Sequence, residues 1–344
     1  RFLSLPMFLS RSRHLISFSS FDYITFEGRK FYETSLMLTQ EKLIERTQIY
    51  RHIPVHTYAG YPGPWLENVY FDHFIKKRPQ SKLLYIPIFW TDLWCHLLQV
   101  QNSRNIPELL RQVEEFRIFI TTLFDEMQES GQNYYTIIQH DHGRVMYEFK
   151  FMGVKMPDCL LVYTQSGVGE VTLPLLKDMS LLKRPVCRDK KHLISFCGNT
   201  STDMELGIRS KMDTVCRESF KDRYVNYCGD QWISIIADST FSLCPRGCAN
   251  TSFRIYEALQ LVSIPVYIYT GTPTLPYQDL VPWERFSIIV NSEEIDKIPE
   301  IVRTLSQEQI DYMLATIEVI RNFFTYSFAC SYIDRTNTRV VKLN

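Results

Sequence analysis

Short runs of apolar, β-branched and aromatic residues alternate along the chain with segments whose apolar residues recur every three or four positions. Most of the short runs are apolar throughout, which is typical of strands buried on both faces of a parallel sheet. They predict strands at 83–89, 134–139, 159–163, 192–197, 224–228, 240–244, 265–269 and 286–290. The segments between them predict helices at 107–129, 202–222, 231–238, 252–262, 293–304 and 307–324.

Capping residues mark several of these helix starts. Pro107 suits the first turn of the first helix, since its missing N–H would have no partner there. Asp230 and Thr251 are good N-cap residues for the third and fourth helices. Ser306, followed three positions later by Gln309, forms a capping-box pattern.

Strand–helix alternation predicts the α/β class, with parallel sheets that carry helices on both faces. The stretch 174–191 interrupts the alternation with charged residues and two prolines, and we interpret it as a linker. The prediction is therefore two Rossmann-like domains, 1–185 and 186–325, followed by a tail, 326–344, which could cross back to the first domain.

Composition narrows the function. The 344 residues include 38 Lys+Arg and 38 Asp+Glu, and this balance argues against nucleic-acid binding. The nine cysteines are odd in number and lack zinc spacing, so buried reduced thiols are expected. No apolar run is long enough to span a membrane. Residues 1–21 contain three Arg and no acidic residue, and either a first strand or a transit peptide fits them.

Common cofactor and hydrolase motifs are absent. The 13 glycines form neither GxGxxG nor the GxxxxGK[ST] phosphate loop, and GxSxG and HExxH are missing as well. The sequence thus gives none of the usual evidence for a dehydrogenase, an NTPase, a serine hydrolase or a zinc peptidase.

The most informative segment is 239–270, which reads as strand, loop, helix, strand. Arg246 and Gly247 lie in the predicted loop, and Thr251 and Ser252 stand where the helix opens. The first turn of a helix presents free backbone N–H groups and a positive dipole end, which attract phosphate. The hydroxyl groups and the guanidinium add further donors to this anion-binding site.

Arg254 and Glu257 lie one helical turn apart in the same segment. Arg254 offers a planar fork that suits a diphosphate, and the carboxylate of Glu257 could accept hydrogen bonds from the diol of a ribose. The spacing alone fits equally a surface ion pair between positions i and i+3.

The order of residues in this region resembles the exostosin family of glycosyltransferases (glycosyltransferase family 47). The family shows S-x-F-x-L-x-P-x-G, then S-x-R-x-x-E-A, then I-P-V. The matching positions are Ser239, Phe241, Leu243, Pro245, Gly247, Ser252, Arg254, Glu257, Ala258, Ile264, Pro265 and Val266. Leu275-Pro276-Tyr277 with Trp283 and Phe286, and Phe196, Gly198 and Arg209 upstream, extend the likeness over about 192–326.

The resemblance implies a GT-B fold, with two Rossmann-like domains facing a central cleft. It further implies an inverting hexosyl or pentosyl transferase of polysaccharide biosynthesis or protein glycosylation. Such an enzyme takes a nucleotide-sugar donor, commonly a UDP-sugar, without a bound metal, and a glycan or glycoprotein acceptor. On these grounds we expect the diphosphate to be bound by Arg209, Arg254, Ser252 and the N–H groups near Gly247 and Thr251. Glu257 is expected to bind the ribose, and Pro245 and Arg246 to border the nucleobase. Gly198 is expected to let the backbone approach the donor closely.

The catalytic base is less well marked. The family's W-N-R-x-x-G-x-D-H segment is replaced here by 135–143, which contains His140, Asp141 and His142. Residues after strand ends in the first domain are candidates because ligands of open α/β sheets lie there. The order of preference is Asp141, Asp92, then His142 or His140. Two alternatives stay open for this segment, a polar turn and a metal site built on the two histidines.

Two other functions stay open beside the transferase, namely a catalytically inactive carbohydrate- or nucleotide-binding module and a nucleoside-phosphate enzyme. The glycosylation sequons at Asn199 and Asn250 both fall in the predicted donor site. Either folding protects them or the protein never meets the glycosylation machinery. The compartment is open, with the cytoplasm slightly favoured over the Golgi lumen.

Overall fold

The computed structural model describes residues 38–54, 61, 63–140, 143–145, 153–165, 167–200 and 207–339. Two parallel sheets organise this part of the chain, one from each half. Helices connect many of these parallel strands, so the predicted α/β class with two Rossmann-like sheets is confirmed. The predicted boundary between residues 185 and 186 stays a prediction.

The first sheet has the order β1-β2-β3-β4 with all pairs parallel. Its strands are β1 (Leu84–Tyr85), β2 (Tyr134–Ile138), β3 (Leu160–Thr164) and β4 (Val171–Thr172). The helices of this half are α1 (Gln40–Arg46), α2 (Leu66–Lys77), α3 (Trp90–Asn102) and α4 (Ile106–Glu129). β2 and β3 are buried along their whole length, as their apolar sequences predicted.

The strand predicted at 83–89 is much shorter in the structure. Only Leu84–Tyr85 pairs along β2, and α3 begins at Trp90. Pro87 gives the physical reason, since it has no N–H to donate and ends a regular ladder.

The second sheet has the order β6-β5-β7-β8-β9, again parallel throughout. Its strands are β5 (His192–Cys197), β6 (Tyr224–Tyr227), β7 (Ser239–Pro245), β8 (Ile264–Tyr269) and β9 (Ile288–Asn291). Its helices are α5 (Ile208–Phe220), α6 (Trp232–Ala237), α7 (Phe253–Gln260), α8 (Ile298–Thr304) and α9 (Gln307–Ile320), and α10 (Tyr326–Arg339) follows. β7 lies in the centre, so the loop after it leaves from the middle of the sheet's carboxyl edge.

Helix starts differ in detail from the capping residues read in the sequence. Ser306 and Gln309 form the predicted capping box. Asp230 does not cap α6, because its carboxylate accepts from the Tyr227 hydroxyl at 3.0 Å and Gln231 stands at the N-cap. The N-cap of α7 is Ser252 rather than Thr251.

The segment 174–191 is packed against the core rather than loose. Leu175, Leu176 and Leu181 are buried in the cluster that also contains side chains of the second sheet. A short 3₁₀ helix spans Met179–Lys183. The linker thus has a fixed course between the two sheets.

α10 runs back to the first half of the chain. Asp334 accepts from the Tyr70 hydroxyl at 2.9 Å and lies 2.7 Å from His73 Nε2, both on α2. Asn337 accepts from the buried hydroxyl of Tyr163 on β3 at 2.7 Å. The end of the described chain therefore packs on the first sheet's side of the molecule.

None of the nine cysteines forms a disulfide, and Cys95, Cys197, Cys216, Cys244 and Cys330 are buried. Among the helices described, none is long and apolar enough to cross a membrane.

Candidate functional site

The loop after β7 folds tightly between the end of that strand and the start of α7. The backbone N–H of Arg246 donates to Ile268 at the end of β8, at 2.9 Å. The N–H of Gly247 donates to the carbonyl of Thr251, also at 2.9 Å, which closes the loop on itself. A Cβ at Gly247 would lie 3.3 Å from that carbonyl oxygen, so glycine suits the close turn. Pro245 and the residues that follow thus gather at the carboxyl edge of the second sheet.

The start of α7 has unused hydrogen-bond donors. Ser252 stands at the N-cap with an extended backbone, yet its hydroxyl makes no capping hydrogen bond. Neither the Thr251 nor the Ser252 hydroxyl makes a well-aligned hydrogen bond to a described residue; the Thr251 hydroxyl meets only that of Tyr256, and Thr251 is only 2% exposed. Buried polar groups without partners are rare because each one costs free energy. With the free N–H groups of the first turn, they form a site suited to an anion.

Arg254 and Glu257 form an ion pair, with 2.9 Å between Nη1 and Oε2. The alternative of a surface pair does not describe it, because the two side chains are only 19% and 8% exposed. The guanidinium carbon also lies 4.6 Å from the centre of the Trp232 ring. The 2.9 Å contact is not aligned for a hydrogen bond, so the N–H groups of Nη1 are not directed at a described residue and can serve another group.

The charge of Glu257 depends on its two cationic neighbours. Burial raises the pKa of the Glu257 carboxyl, while the charges of Arg254 and Lys177 oppose that rise. Desolvation is the largest of these effects, so the pKa of the Glu257 carboxyl is raised overall.

Arg209 joins the end of β5 to the loop after β7. It lies in the first turn of α5 and donates to the carbonyls of Asn199 at 3.0 Å and of Arg246 at 3.5 Å. Gly198 follows β5, and a Cβ there would lie 2.8 Å from the ring of Phe196. The structure thus brings the predicted donor-site residues to one edge of the sheet, with three guanidinium groups near one helix start.

Asn250 is engaged by the same loop. Its side-chain amide donates to the carbonyl of Thr270 at 2.7 Å and accepts from the Thr270 N–H at 2.9 Å. Glycosylation would replace a hydrogen on Nδ2, which donates to the carbonyls of both Thr270 and Thr272, so a glycan on this sequon would disrupt the folded loop.

The structure describes only some of the candidate catalytic bases in the first half of the chain. Asp141 and His142 lie outside the described residues. Asp92 lies in the first turn of α3 and is 3% exposed. Its two carboxylate oxygens accept from Trp65 Nε1 at 2.9 Å and from Asn68 Nδ2 at 2.8 Å. These contacts describe a carboxylate that holds α2 and α3 together.

His140 is 2% exposed, and its ring centre lies 4.3 Å from that of Trp94. Within the part of the chain that is described, no three His, Cys, Asp or Glu side chains could share a metal ion.

Glu67 is a buried acid that the sequence analysis did not single out. It is fully buried, and it accepts from the N–H and hydroxyl of Thr91, at 2.9 and 2.7 Å, and from the N–H of Gln139, at 2.8 Å. Burial raises its pKa to about 8, against the hydrogen bonds, which lower it. Glu67 thus fixes α2 to the start of α3, which carries Asp92, and to Gln139, which directly follows β2. Its only sequence signal is an acid among aromatic and apolar neighbours, which many surface helices share.

Two parallel Rossmann-like sheets, with a basic and hydroxyl-lined loop at the carboxyl edge of the second, place the protein in the GT-B class. Residues 132–305, half of the chain, match the family model of the Exostosin GT47 domain. The chain therefore belongs to the exostosin family of glycosyltransferases.

Similar proteins point the same way. A probable glycosyltransferase of Arabidopsis thaliana is 29% identical over 102 residues, 30% of this chain and 20% of its own length. Exostosin-1 of Drosophila melanogaster is 28% identical over 144 residues, 36% of this chain and 19% of its own. The chain thus spans about a fifth of the length of these relatives.

Among solved structures, WaaG, a glycosyltransferase involved in lipopolysaccharide biosynthesis, aligns over 84% of this chain and 86% of its own. The TM-score is 0.35 and the identity 10%, so the fold assignment rests on this chain's own sheets.

Proposed function

We propose that the protein is an inverting glycosyltransferase that moves a sugar from a nucleotide-sugar, a UDP-sugar in the first instance, to a glycan hydroxyl. The observation that carries this proposal is the uncapped start of α7. There the hydroxyls of Thr251 and Ser252, neither of which makes a well-aligned hydrogen bond to a described residue, and the guanidinium of Arg254 meet in one place. Family membership supports the transfer of a sugar, and the chemistry of this loop supports a diphosphate leaving group.

In this proposal the donor's diphosphate lies at the first turn of α7. Arg254, Ser252, Thr251 and Arg209 hold it, with backbone N–H groups near Gly247. Glu257 accepts from the ribose hydroxyls, Pro245 and Arg246 border the nucleobase, and Gly198 lies beside the donor. As the bond between the anomeric carbon and the diphosphate breaks, the new negative charge forms next to these positive groups, which lowers the barrier.

A base in the first half would accept the proton of the attacking hydroxyl. Asp141 is the first candidate for this step. His142 and Asp92 come after it, and the burial of Asp92 and its two hydrogen bonds favour a positioning role. The phosphate-binding groups named above are all protein groups, so the proposal includes no metal.

A thermal-shift screen against UDP- and GDP-sugars tests the donor assignment. A ligand at 100 times its dissociation constant stabilises the folded state by about 2.7 kcal/mol. We expect a UDP-sugar to raise the midpoint and the nucleobase alone to have little effect. A protein that no nucleotide-sugar stabilises would contradict the proposal, and stabilisation without transfer to a glycan array would favour an inactive binding module.

A further inference from the structure

Lys177 lies on the segment that connects the two sheets, in a position that the sequence analysis did not consider. The leucines before it, Leu175 and Leu176, are buried in the core, whereas the Lys177 side chain is half-buried. The segment thus buries its leucine side chains in the core and leaves the Lys177 ammonium group closer to the surface.

Two tyrosine hydroxyls fix the backbone at this point. The Tyr61 hydroxyl lies 3.1 Å from the Lys177 carbonyl oxygen, and the Tyr326 hydroxyl lies 3.2 Å from that of Leu176. Both hydroxyls also lie 3.1 Å from the Pro64 carbonyl. Residues of the first half, the connecting segment and α10 therefore meet within hydrogen-bond distance. These contacts fix the backbone position from which the Lys177 side chain extends.

The ammonium group of Lys177 is held between two aromatic rings. Nζ lies 5.4 Å from the ring centre of Tyr61 and 5.6 Å from that of Phe253. Both distances allow a cation–π interaction. Phe253 is the first residue of α7, so the charge stands at the start of the helix that carries the uncapped donors.

Several independent features at the start of α7 favour the binding of an anion. The Ser252 hydroxyl makes no hydrogen bond to a described residue and does not cap the helix, and the buried Thr251 hydroxyl meets only the Tyr256 hydroxyl without a well-aligned hydrogen bond. The positive charge of Lys177 reaches Glu257, since it helps to keep the pKa of that carboxyl from rising further. Lys177 and Arg254 therefore act on the same small region from different parts of the chain. A ring-held ammonium keeps its three N–H donors, and a phosphate is a stronger partner than an aromatic face.

We propose that Lys177 binds the donor's diphosphate directly, as a second cation beside Arg254 that the connecting segment supplies to the start of α7. This inference rests on the proposed function, because it assumes that a nucleoside diphosphate occupies that site. It adds a ligand-contacting residue from outside the strand–loop–helix unit of 239–270.

The test compares UDP with uridine by isothermal titration calorimetry. The variants are Lys177→Met, which keeps the length of the side chain and removes its charge, and Lys177→Gln as a second form. Lys183→Met is the matched control, because Lys183 is exposed and lies on the same segment. Thermal denaturation of each variant without ligand checks that it is folded.

We expect Lys177→Met and Lys177→Gln to bind UDP about 10-fold or more weakly, in line with a hydrogen bond to a charged group. Uridine affinity should stay unchanged in both, and Lys177→Arg should recover most of the UDP affinity. Lys183→Met should bind both ligands as the wild type does. If the wild type prefers GDP, the same comparison is made with GDP and guanosine.

Folded Lys177 variants that bind the diphosphate as tightly as the wild type would overturn the inference and leave the proposed function standing. Equal losses for UDP and uridine would also overturn it, since they would show general damage to the site. A wild-type protein that binds neither UDP nor GDP would instead refute the proposed function, and the inference with it.

Discussion

Replacing Glu257 by glutamine separates a ligand-binding role from a purely structural one. The substitution keeps the shape of the side chain and removes its charge, so Arg254 loses the partner that lies 2.9 Å away. If Glu257 accepts hydrogen bonds from the ribose, the variant binds UDP more weakly. If it serves only to neutralise Arg254, stability changes and UDP affinity does not.

The expected magnitudes follow from burial. Hydrogen bonds to charged groups contribute about 1.5–3 kcal/mol, and 1.4 kcal/mol corresponds to tenfold in affinity. Because glutamine can still accept one hydrogen bond, we expect a loss of about 10-fold. Breaking a buried ion pair costs about 3–5 kcal/mol of stability. Here we expect about 1–2 kcal/mol, because Arg254 is 19% exposed and stacked on Trp232, and because burial already disfavours the ionised Glu257.

The assay titrates UDP and 2′,3′-dideoxy-UDP into wild type and Glu257→Gln. The wild type should prefer UDP by about 10-fold, and the variant should lose most of this preference because a neutral amide accepts weaker hydrogen bonds than a carboxylate. Glu318→Gln is a matched control, since Glu318 pairs with Arg188 on an exposed surface. A Glu257→Gln protein that still prefers UDP over its dideoxy form by the wild-type factor would refute the ribose assignment.

Other predictions concern the scaffold. Burial raises the pKa of Glu67 to about 8 from its ordinary 4.5, so the native state keeps this proton to a higher pH than the unfolded chain does. The free energy of unfolding therefore falls as the pH rises between those two values, by at most about 1.4 kcal/mol per pH unit. Urea denaturation at pH 5 and pH 8 should show a steeper fall for wild type than for Glu67→Gln, and parallel falls would contradict the shift. Asp334→Asn should lower stability by about 1–2 kcal/mol and increase hydrogen exchange in α10, since the carboxylate charge that contacts Tyr70 and His73 is lost. Unchanged exchange in α10 would argue that its packing does not depend on this contact. Ser306→Ala should cost about 1 kcal/mol in the same denaturation assay through the lost capping box, and no loss would mean that α9 does not need it.

The second sheet could be predicted well because each of its strands carries its own signal. The strand predicted at 192–197 has the same bounds in the structure, and β7 exceeds its prediction by one residue at each end. Both runs carry β-branched, aromatic and other apolar residues at short spacing, so the local sequence is enough to predict a strand. The loop after β7 could be proposed as a donor site from the sequence because its residues are contiguous along the chain and their spacing carries the resemblance.

What could not be predicted depends on contacts between distant residues. α10 has a polar sequence, and its place is decided by Asp334 meeting Tyr70, 264 positions away. The two hydrogen bonds on Asp92 come from α2, so its position after a strand gave no sign of them. Glu67 and Lys177 look like ordinary surface residues in the sequence, and only the packing of other segments gives them partners.

The most direct test of the account is a transfer reaction followed by proton NMR. Purified protein is incubated with the UDP-sugar that stabilises it and with a glycan acceptor, and the anomeric configuration of the product is read from its coupling constant. We predict release of UDP together with a glycoside of inverted configuration, and loss of both in Arg254→Met. A product with retained configuration would contradict the single displacement, and full activity in folded Arg254→Met would contradict the donor site at the start of α7.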